Sequence, residues 1–146
     1  TTDFVWISSE TRVDSRGIIF FQKEYKDAAQ FGEQAIVDTV NAALEKFIPG
    51  PLTKTYMALD TVAPIVSNVY NYAGKHYAVL LRGLCMVVND YMGGPFVLNV
   101  ILDQENNRVL YMMGYIYAPD DKKRNMLRQV EAILFTAGLD YKEGNR

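Results

Sequence analysis

The segment from His76 to Ala118 constrains the fold most, because it consists of three apolar runs separated by short polar or glycine-containing connections. The first run, His76 to Val88, is apolar at nearly every position, which is typical of a strand covered on both faces. The next two runs are Pro95 to Asp103 and Arg108 to Ala118, and the polar QENN between them predicts a hairpin. We therefore expect an antiparallel sheet with the first run as a central strand.

The rest of the chain adds further strands and two amphipathic patterns. Segments rich in β-branched and aromatic residues predict strands at Asp3–Ser8, Gly17–Tyr25, Thr53–Asp60 and Pro64–Tyr72. Apolar residues recur at helical spacing in 28–47 and again in 119–138, where Pro119 suits a helix start. The predicted fold class is α+β: an antiparallel β-sheet of about six or seven strands with two amphipathic helices packed on one face, in a single domain over residues 1–146.

Charge and composition argue against several classes of function. The 15 basic and 17 acidic residues give a net charge of −2, so no basic bias predicts nucleic-acid binding. One histidine, His76, provides no imidazole pair, and one cysteine, Cys85, has no disulfide partner within the chain. Cys85 lies in an apolar strand pattern and is expected to be a buried, small hydrophobic residue. We predict no metal site, no cofactor and no catalytic residue.

Arg82 is the most informative charged residue, because its guanidinium group stands inside an apolar strand pattern. Burying an unpaired charge is costly, so Arg82 needs a partner. We favour a structural ion pair with Asp90, Asp103 or Glu131, and the alternative is that Arg82 lines a pocket. Both interpretations remain open from the sequence.

A few other residues are candidate ligand contacts. The stretch from Asp90 to Phe96 contains two glycines and a proline, and we interpret it as a tight connection between two core strands, with Asp90 and Tyr91 retained as possible ligand contacts. Asp60 and Asp90 could converge as a carboxylate pair. Arg124 belongs to a basic cluster that could hold a phosphate or sulfate, although a solvated face is the commoner meaning of such a cluster.

The last predicted strand carries tyrosines on one face. Tyr111, Tyr115 and Tyr117 are spaced two or four residues apart, so they share one side of the strand. An exposed tyrosine face suits an interface. This pattern indicates a possible homodimer or domain contact.

Three segments together resemble a known family. They are FIPGPLTKTYM (Phe47 to Met57), RGLCMVVNDYMGGPFV (Arg82 to Val97) and GYIYAPDDKKRNMLRQVEAIL (Gly114 to Leu134). In this order they are similar to the blocks of an uncharacterised family of predicted Bacteroidetes lipoproteins, catalogued as domain of unknown function 4837. The resemblance covers most of the chain, with one departure: Cys85 stands where the family usually has tryptophan.

The resemblance implies a location rather than an activity. In that family this region is the C-terminal part of a longer exported lipoprotein, which implies the periplasm or the outer membrane. Membrane attachment would then come only through a lipid anchor that is absent from this chain.

Our leading hypothesis is a non-enzymatic binding or assembly module of a cell-envelope lipoprotein, with an unknown protein or glycan partner. Ten tyrosines and six methionines support it, since both residue types suit interfaces when exposed. The alternative is a carboxylate-dependent hydrolase acting on envelope glycan or peptide, with Asp60 and Asp90 as acids and Arg82 as an orienting cation.

Overall fold

The computed structural model describes residues 4–10, 15–48, 54–89 and 93–117, together with 128 and 132. These ranges contain seven strands: β1 (Phe4–Glu10), β2 (Ser15–Glu24), β3 (Tyr56–Leu59), β4 (Val66–Tyr72), β5 (His76–Val88), β6 (Gly93–Asp103) and β7 (Arg108–Tyr117). Helix α1 spans Glu33–Phe47 and follows a short 3-10 helix at Ala28–Phe31. No helix in the described ranges is long and apolar enough to cross a membrane.

All seven strands belong to one antiparallel sheet, in the order β1-β2-β7-β6-β5-β3. The outer edge of β5 is shared, because β4 pairs with its first half and β3 with its second half. The predicted hairpin is confirmed: β6 and β7 pair from Asp103 opposite Arg108 to Phe96 opposite Tyr115. The sheet curls into a half-barrel.

Apolar side chains are buried on both faces of this sheet. On one face they pack with α1, whose apolar stripe is buried as its spacing predicts: Ile36, Val37, Val40, Ala43 and Leu44. A second cluster lies on the opposite face and includes Val97, Ile101, Leu110, Met112 and Ile116. Strand β7 is buried at every position, so its alternating side chains fill both clusters.

The predicted α+β class with two helices on one face is wrong. The chain is mostly antiparallel sheet, and α1 is the one α-helix whose two ends fall within the described residues. The error is the layer of two helices, because strands of up to 13 residues form most of the fold. Two helices on one face would also leave the opposite apolar cluster without cover. The second predicted helix, in 119–138, lies outside the described residues except for positions 128 and 132, which are helical.

Two details of the central region also differ from expectation. Strand β5 is next to the sheet edge rather than central, and Tyr77, Arg82 and Leu84 on it are exposed. Gly93 and Gly94 do not form a connection but begin β6, where they pair with Met86 and Cys85 of β5. The glycines are therefore needed for close backbone packing within the sheet.

A buried ion pair closes the β6–β7 hairpin. Arg108 Nε lies 2.7 Å from Asp103 Oδ2, and the Asp103 side chain is only 3% exposed. Asn106 donates a second hydrogen bond to Oδ2 at 2.8 Å, and Arg108 Nη1 donates to Gln22 Oε1 at 2.8 Å. Burial acts to raise the pKa of Asp103, but the hydrogen bonds from Asn106 and Arg108 and the charge of Arg108 outweigh it and lower the pKa below its usual value.

Because of the Asp103–Arg108 pair, we expect the folded protein to lose stability in acid. A carboxyl group whose pKa is lower in the folded state stabilises the fold above its unfolded pKa, about 3.9, and loses that contribution as the pH falls through its folded pKa. We therefore expect Asp103→Asn to be less stable than the natural chain at pH 7, with the difference shrinking below about pH 4. Urea unfolding of both proteins between pH 7 and pH 2 measures it. A difference that stays constant down to pH 2 would show that ionisation of Asp103 does not contribute.

Candidate functional site

A cleft of about 1000 Å³ opens between α1 and the part of the sheet formed by β1, β2 and β7. Its aromatic lining comes from four elements: Phe4 of β1, Phe21 of β2, Phe47 of α1 and Tyr111 of β7. Phe21 and Tyr111 are buried, whereas Phe4 and Phe47 are half-buried. The cleft therefore has an apolar floor continuous with the main core and an open side.

The cleft exists because α1 presents small side chains to this part of the sheet. Thr39, Ala42, Ala43 and Lys46 all line it, and their spacing of three, four and seven residues places them on one face of the helix. Farther round the helix the large residues Ile36, Val40 and Leu44 fill the core. Because alanines occupy positions where large apolar side chains would fill the gap, space remains between the helix and the sheet near Phe47.

The aromatic lining forms a stack of four rings, which we call the ring stack: Phe47, Phe4, Phe21 and Tyr111. The ring centroids of Phe47 and Phe4 are 4.5 Å apart, those of Phe4 and Phe21 are 5.8 Å apart, and those of Phe21 and Tyr111 are 4.6 Å apart. The angles between successive ring planes are 20°, 20° and 4°. Offset stacking of this kind adds about 0.5 to 1.5 kcal/mol per pair beyond burial, so the floor of the cleft is well ordered.

Positive charge predominates around the cleft. The lining includes three lysines, Lys23, Lys26 and Lys46, and one acidic residue, Glu24, all exposed. Lys46 Nζ lies 5.1 Å from the centre of the Phe47 ring, within the range of a cation–π contact, and so sits at one end of the ring stack. Lys23 follows Phe21 by two residues and therefore projects from the same face of β2. An anionic group would be favoured here.

Tyr111 adds a polar group to the cleft floor. Burial raises the pKa of its phenol, and a hydrogen bond with the Thr39 side chain acts in the opposite direction without cancelling the rise. Tyr111 is therefore neutral at physiological pH. It can hold α1 to the sheet through Thr39 without adding negative charge to a site rimmed by lysines.

Of the candidates predicted from the sequence, Arg82 and Asp60 lie in the described residues, and neither lines the cleft. Arg82 is exposed on β5 and does not line the cleft. The expectation that β5 is covered on both faces is wrong here, because alternate residues of β5 face outwards, whereas an ion pair of Arg82 with Asp90 or Glu131 stays a prediction. Asp103, one of its expected partners, is instead bound by Arg108.

Asp60 has a local structural role. Its Oδ1 accepts hydrogen bonds from the backbone N–H groups of Val62 at 2.9 Å and Ala63 at 3.3 Å, in the turn that follows β3. A carboxylate that caps its own turn in this way is explained by local structure. Asp90, Tyr91 and Arg124 lie outside the described residues, as does Glu131. Within the described part of the chain no observation favours the carboxylate-dependent hydrolase, and the convergence of Asp60 with Asp90 stays a prediction.

Cys85 is a core residue, as its position in the strand predicts. It is 1% exposed, and burial raises the pKa of its thiol to about 12, an effect that hydrogen bonds with Tyr117 and Gly94 only moderate. The thiol is therefore protonated and inaccessible at neutral pH. Among the described residues, no group of three or more histidine, cysteine or acidic side chains could hold a metal ion.

The tyrosine face of β7 is not an exposed surface. Tyr111, Tyr115 and Tyr117 do share one side of the strand, but all three are buried in the main core. Their burial argues against a homodimer through this face, and a homodimer through another surface stays a prediction.

Of the cleft residues, only Tyr111 is singled out by a sequence pattern, and as part of a tyrosine face rather than of a cleft. Phe21 fits an ordinary strand and Phe47 an ordinary helical stripe, while no pattern marks Lys23 or Lys46. The available signal was the set of small residues on one face of a helix, at Thr39, Ala42 and Ala43, because such a face leaves space against a sheet.

Comparisons with known proteins agree with the fold and assign no activity. Residues 1–136 match the family described as "Domain of unknown function (DUF4837)". The fold is similar to the crystal structure of PA94 from Pseudomonas aeruginosa, a protein of unknown function described as a putative regulator. That likeness has a TM-score of 0.52 at 16% identity and covers 91% of this chain and 81% of the other. No curated protein matches the chain.

Proposed function

The chain belongs to the family described as Domain of unknown function (DUF4837), and from that premise we propose that it is a non-enzymatic binding module whose site is the cleft between α1 and the sheet. The observation that carries the proposal is the composition of this cleft, an ordered aromatic floor rimmed by three lysines. Ligand sites are typically concave and mostly apolar, with a few polar groups that orient the ligand.

The cleft favours a ligand that is both apolar and negatively charged. The half-buried rings of Phe4 and Phe47 gain free energy when a ligand covers them, at roughly 25 cal/mol per Å² of apolar surface removed from water. The lysines at the rim attract an anion without having to be buried, so their desolvation cost stays low. An apolar group can thus lie on the floor while its charge remains near water.

The proposal includes a cell-envelope setting. The three sequence segments that resemble predicted lipoproteins support it, since they imply an exported protein. We propose that the module acts on the extracytoplasmic side of a membrane, where amphipathic ligands and the exposed ends of other envelope proteins are present.

A substitution that fills the cleft tests this function. Ala42 is exposed and lines the cleft, so Ala42→Trp should occupy it without disturbing the core. We expect at least one of two amphipathic anions, dodecanoate or 2-naphthoate, to bind the natural chain, and Ala42→Trp to weaken that binding by at least about tenfold, which corresponds to about 1.4 kcal/mol. Isothermal titration calorimetry measures the affinities.

The matched control places the same ring elsewhere on α1. Gln34 is exposed on the helix and does not line the cleft, so Gln34→Trp should bind as the natural chain does. Thermal unfolding of both variants confirms that they are folded. If neither anion binds the natural chain, or if both variants bind equally well, the cleft is not the site and the proposal fails.

A further inference from the structure

We propose that the ligand of the cleft is an aliphatic chain that ends in one anionic group, such as a fatty-acid carboxylate. This inference rests on the proposed function and adds the chemical class of the ligand. It follows from the way the four aromatic rings are arranged and from the charges next to them.

The ring stack leaves no open face for a flat ligand at its inner rings. Phe21 lies between its cross-strand partners Phe4 and Tyr111, whose rings are nearly parallel to its own, and the Phe47 ring lies 4.5 Å from that of Phe4. At the end of the stack, Lys46 Nζ lies over the Phe47 ring. A planar aromatic ligand would have to break one of these pairs in order to stack, whereas a flexible chain can lie against the ring edges as they are.

The lysines of the cleft select the sign of the charge. Lys23 and Lys46 both line the cleft and are exposed, so their ammonium groups favour an anionic head group over a cationic one. The rings contact the chain of the ligand rather than its head group, and they do not contribute to this preference.

The space and the remaining lining suit a long chain. At about 1000 Å³ the cleft is at the upper end of the range for small-molecule sites. Ala42 and Ala43 form its helical wall, and their methyl groups provide apolar contact without projecting into it. A chain can lie between this wall and the ring stack, with its head group at the open rim beside Lys23 and Lys46.

Three probes that differ in one property each test the inference. Dodecanoate is an aliphatic anion, dodecyltrimethylammonium has the same chain with a cationic head group, and 2-naphthoate has the same carboxylate on a planar ring. We expect calorimetry, at concentrations below micelle formation, to show dodecanoate binding at least about tenfold more tightly than either of the others. Added salt should weaken dodecanoate binding, because the lysines are exposed.

Charge variants locate the head group. We expect the double substitution Lys23→Gln and Lys46→Gln to weaken dodecanoate binding by about fivefold to tenfold. Lys54 and Lys75 are exposed and do not line the cleft, so the double substitution Lys54→Gln and Lys75→Gln, which removes the same number of charges, should leave the affinity unchanged. Equal weakening by both variants would mean that the effect is one of net charge, and the proposed position of the head group would be wrong.

The outcomes separate this inference from the proposed function. If 2-naphthoate binds as tightly as dodecanoate or more tightly, and Ala42→Trp blocks it, the cleft is a binding site but the aliphatic class is wrong. Equal binding of dodecanoate and dodecyltrimethylammonium would overturn the preference for an anion. If none of the three probes binds, both the inference and the proposed function fail.

Discussion

Gly94→Ala should destabilise the protein by about 3 kcal/mol or more, near the upper end of the usual range for single substitutions. A Cβ atom at Gly94 would fall inside the contact distance of the Ile116 carbonyl oxygen, 2.9 Å from its carbonyl carbon and 3.4 Å from Tyr117 Cα. All of these atoms belong to the backbone of β7, so no side chain can rotate away and the strands must separate. Urea unfolding measures the loss.

Substitution of a second glycine separates the cost of a steric clash from the cost of a strained backbone conformation. Gly74 has φ of +76°, but nothing lies within 4 Å of the position that its Cβ would occupy. Gly74→Ala should therefore cost only the strain of a left-handed conformation, about 1 to 2 kcal/mol. If Gly94→Ala costs no more than Gly74→Ala, the close approach of β6 and β7 at this point does not constrain the fold.

Asp103→Ala should destabilise the protein by about 3 to 5 kcal/mol, because removing one partner of a buried ion pair leaves the other charge without compensation. Arg108 would keep its hydrogen bond to Gln22 but lose the carboxylate at 2.7 Å. The pair joins the ends of β6 and β7 next to their connecting turn, and these are the two middle strands of the sheet. Urea unfolding at pH 7 measures it.

Two further variants separate the ion pair from general effects of charge removal. Asp38 is exposed on α1, so Asp38→Ala should change stability by less than about 0.5 kcal/mol. Replacing both partners, with Asp103→Leu and Arg108→Met, should recover part of the loss, since no buried charge then remains. If the double variant is no more stable than Asp103→Ala, the cost does not come from an uncompensated arginine.

Much of the sheet could be predicted from the sequence, because alternation and turn residues act locally. Strand β5 was predicted with its exact ends, and QENN indicated the β6–β7 hairpin. The relative importance of sheet and helix was not predictable in the same way. The balance depends on the way in which long strands curl and on the face that each apolar cluster occupies. Both are properties of the assembled sheet.

The site was much harder to predict than the strands. A charge in an apolar run suggests an enclosed side chain, but Arg82 lies opposite Val97, on the face of the sheet away from α1, and is exposed there. The cleft instead depends on Phe4, Phe21 and Phe47, which come together only when β1, β2 and the end of α1 pack. No single segment contains that arrangement.

The most direct test of the binding site is an NMR measurement of which protons of the protein contact bound dodecanoate. We predict intermolecular nuclear Overhauser effects between the methylene chain and the rings of Phe4, Phe21 and Phe47. The exposed apolar side chains of Val5 and Ile7 offer a rival surface on the opposite face of β1, at 50% and 66% exposure. Contacts to Val5 and Ile7 without contacts to the ring stack would contradict the assignment of the cleft as the ligand site.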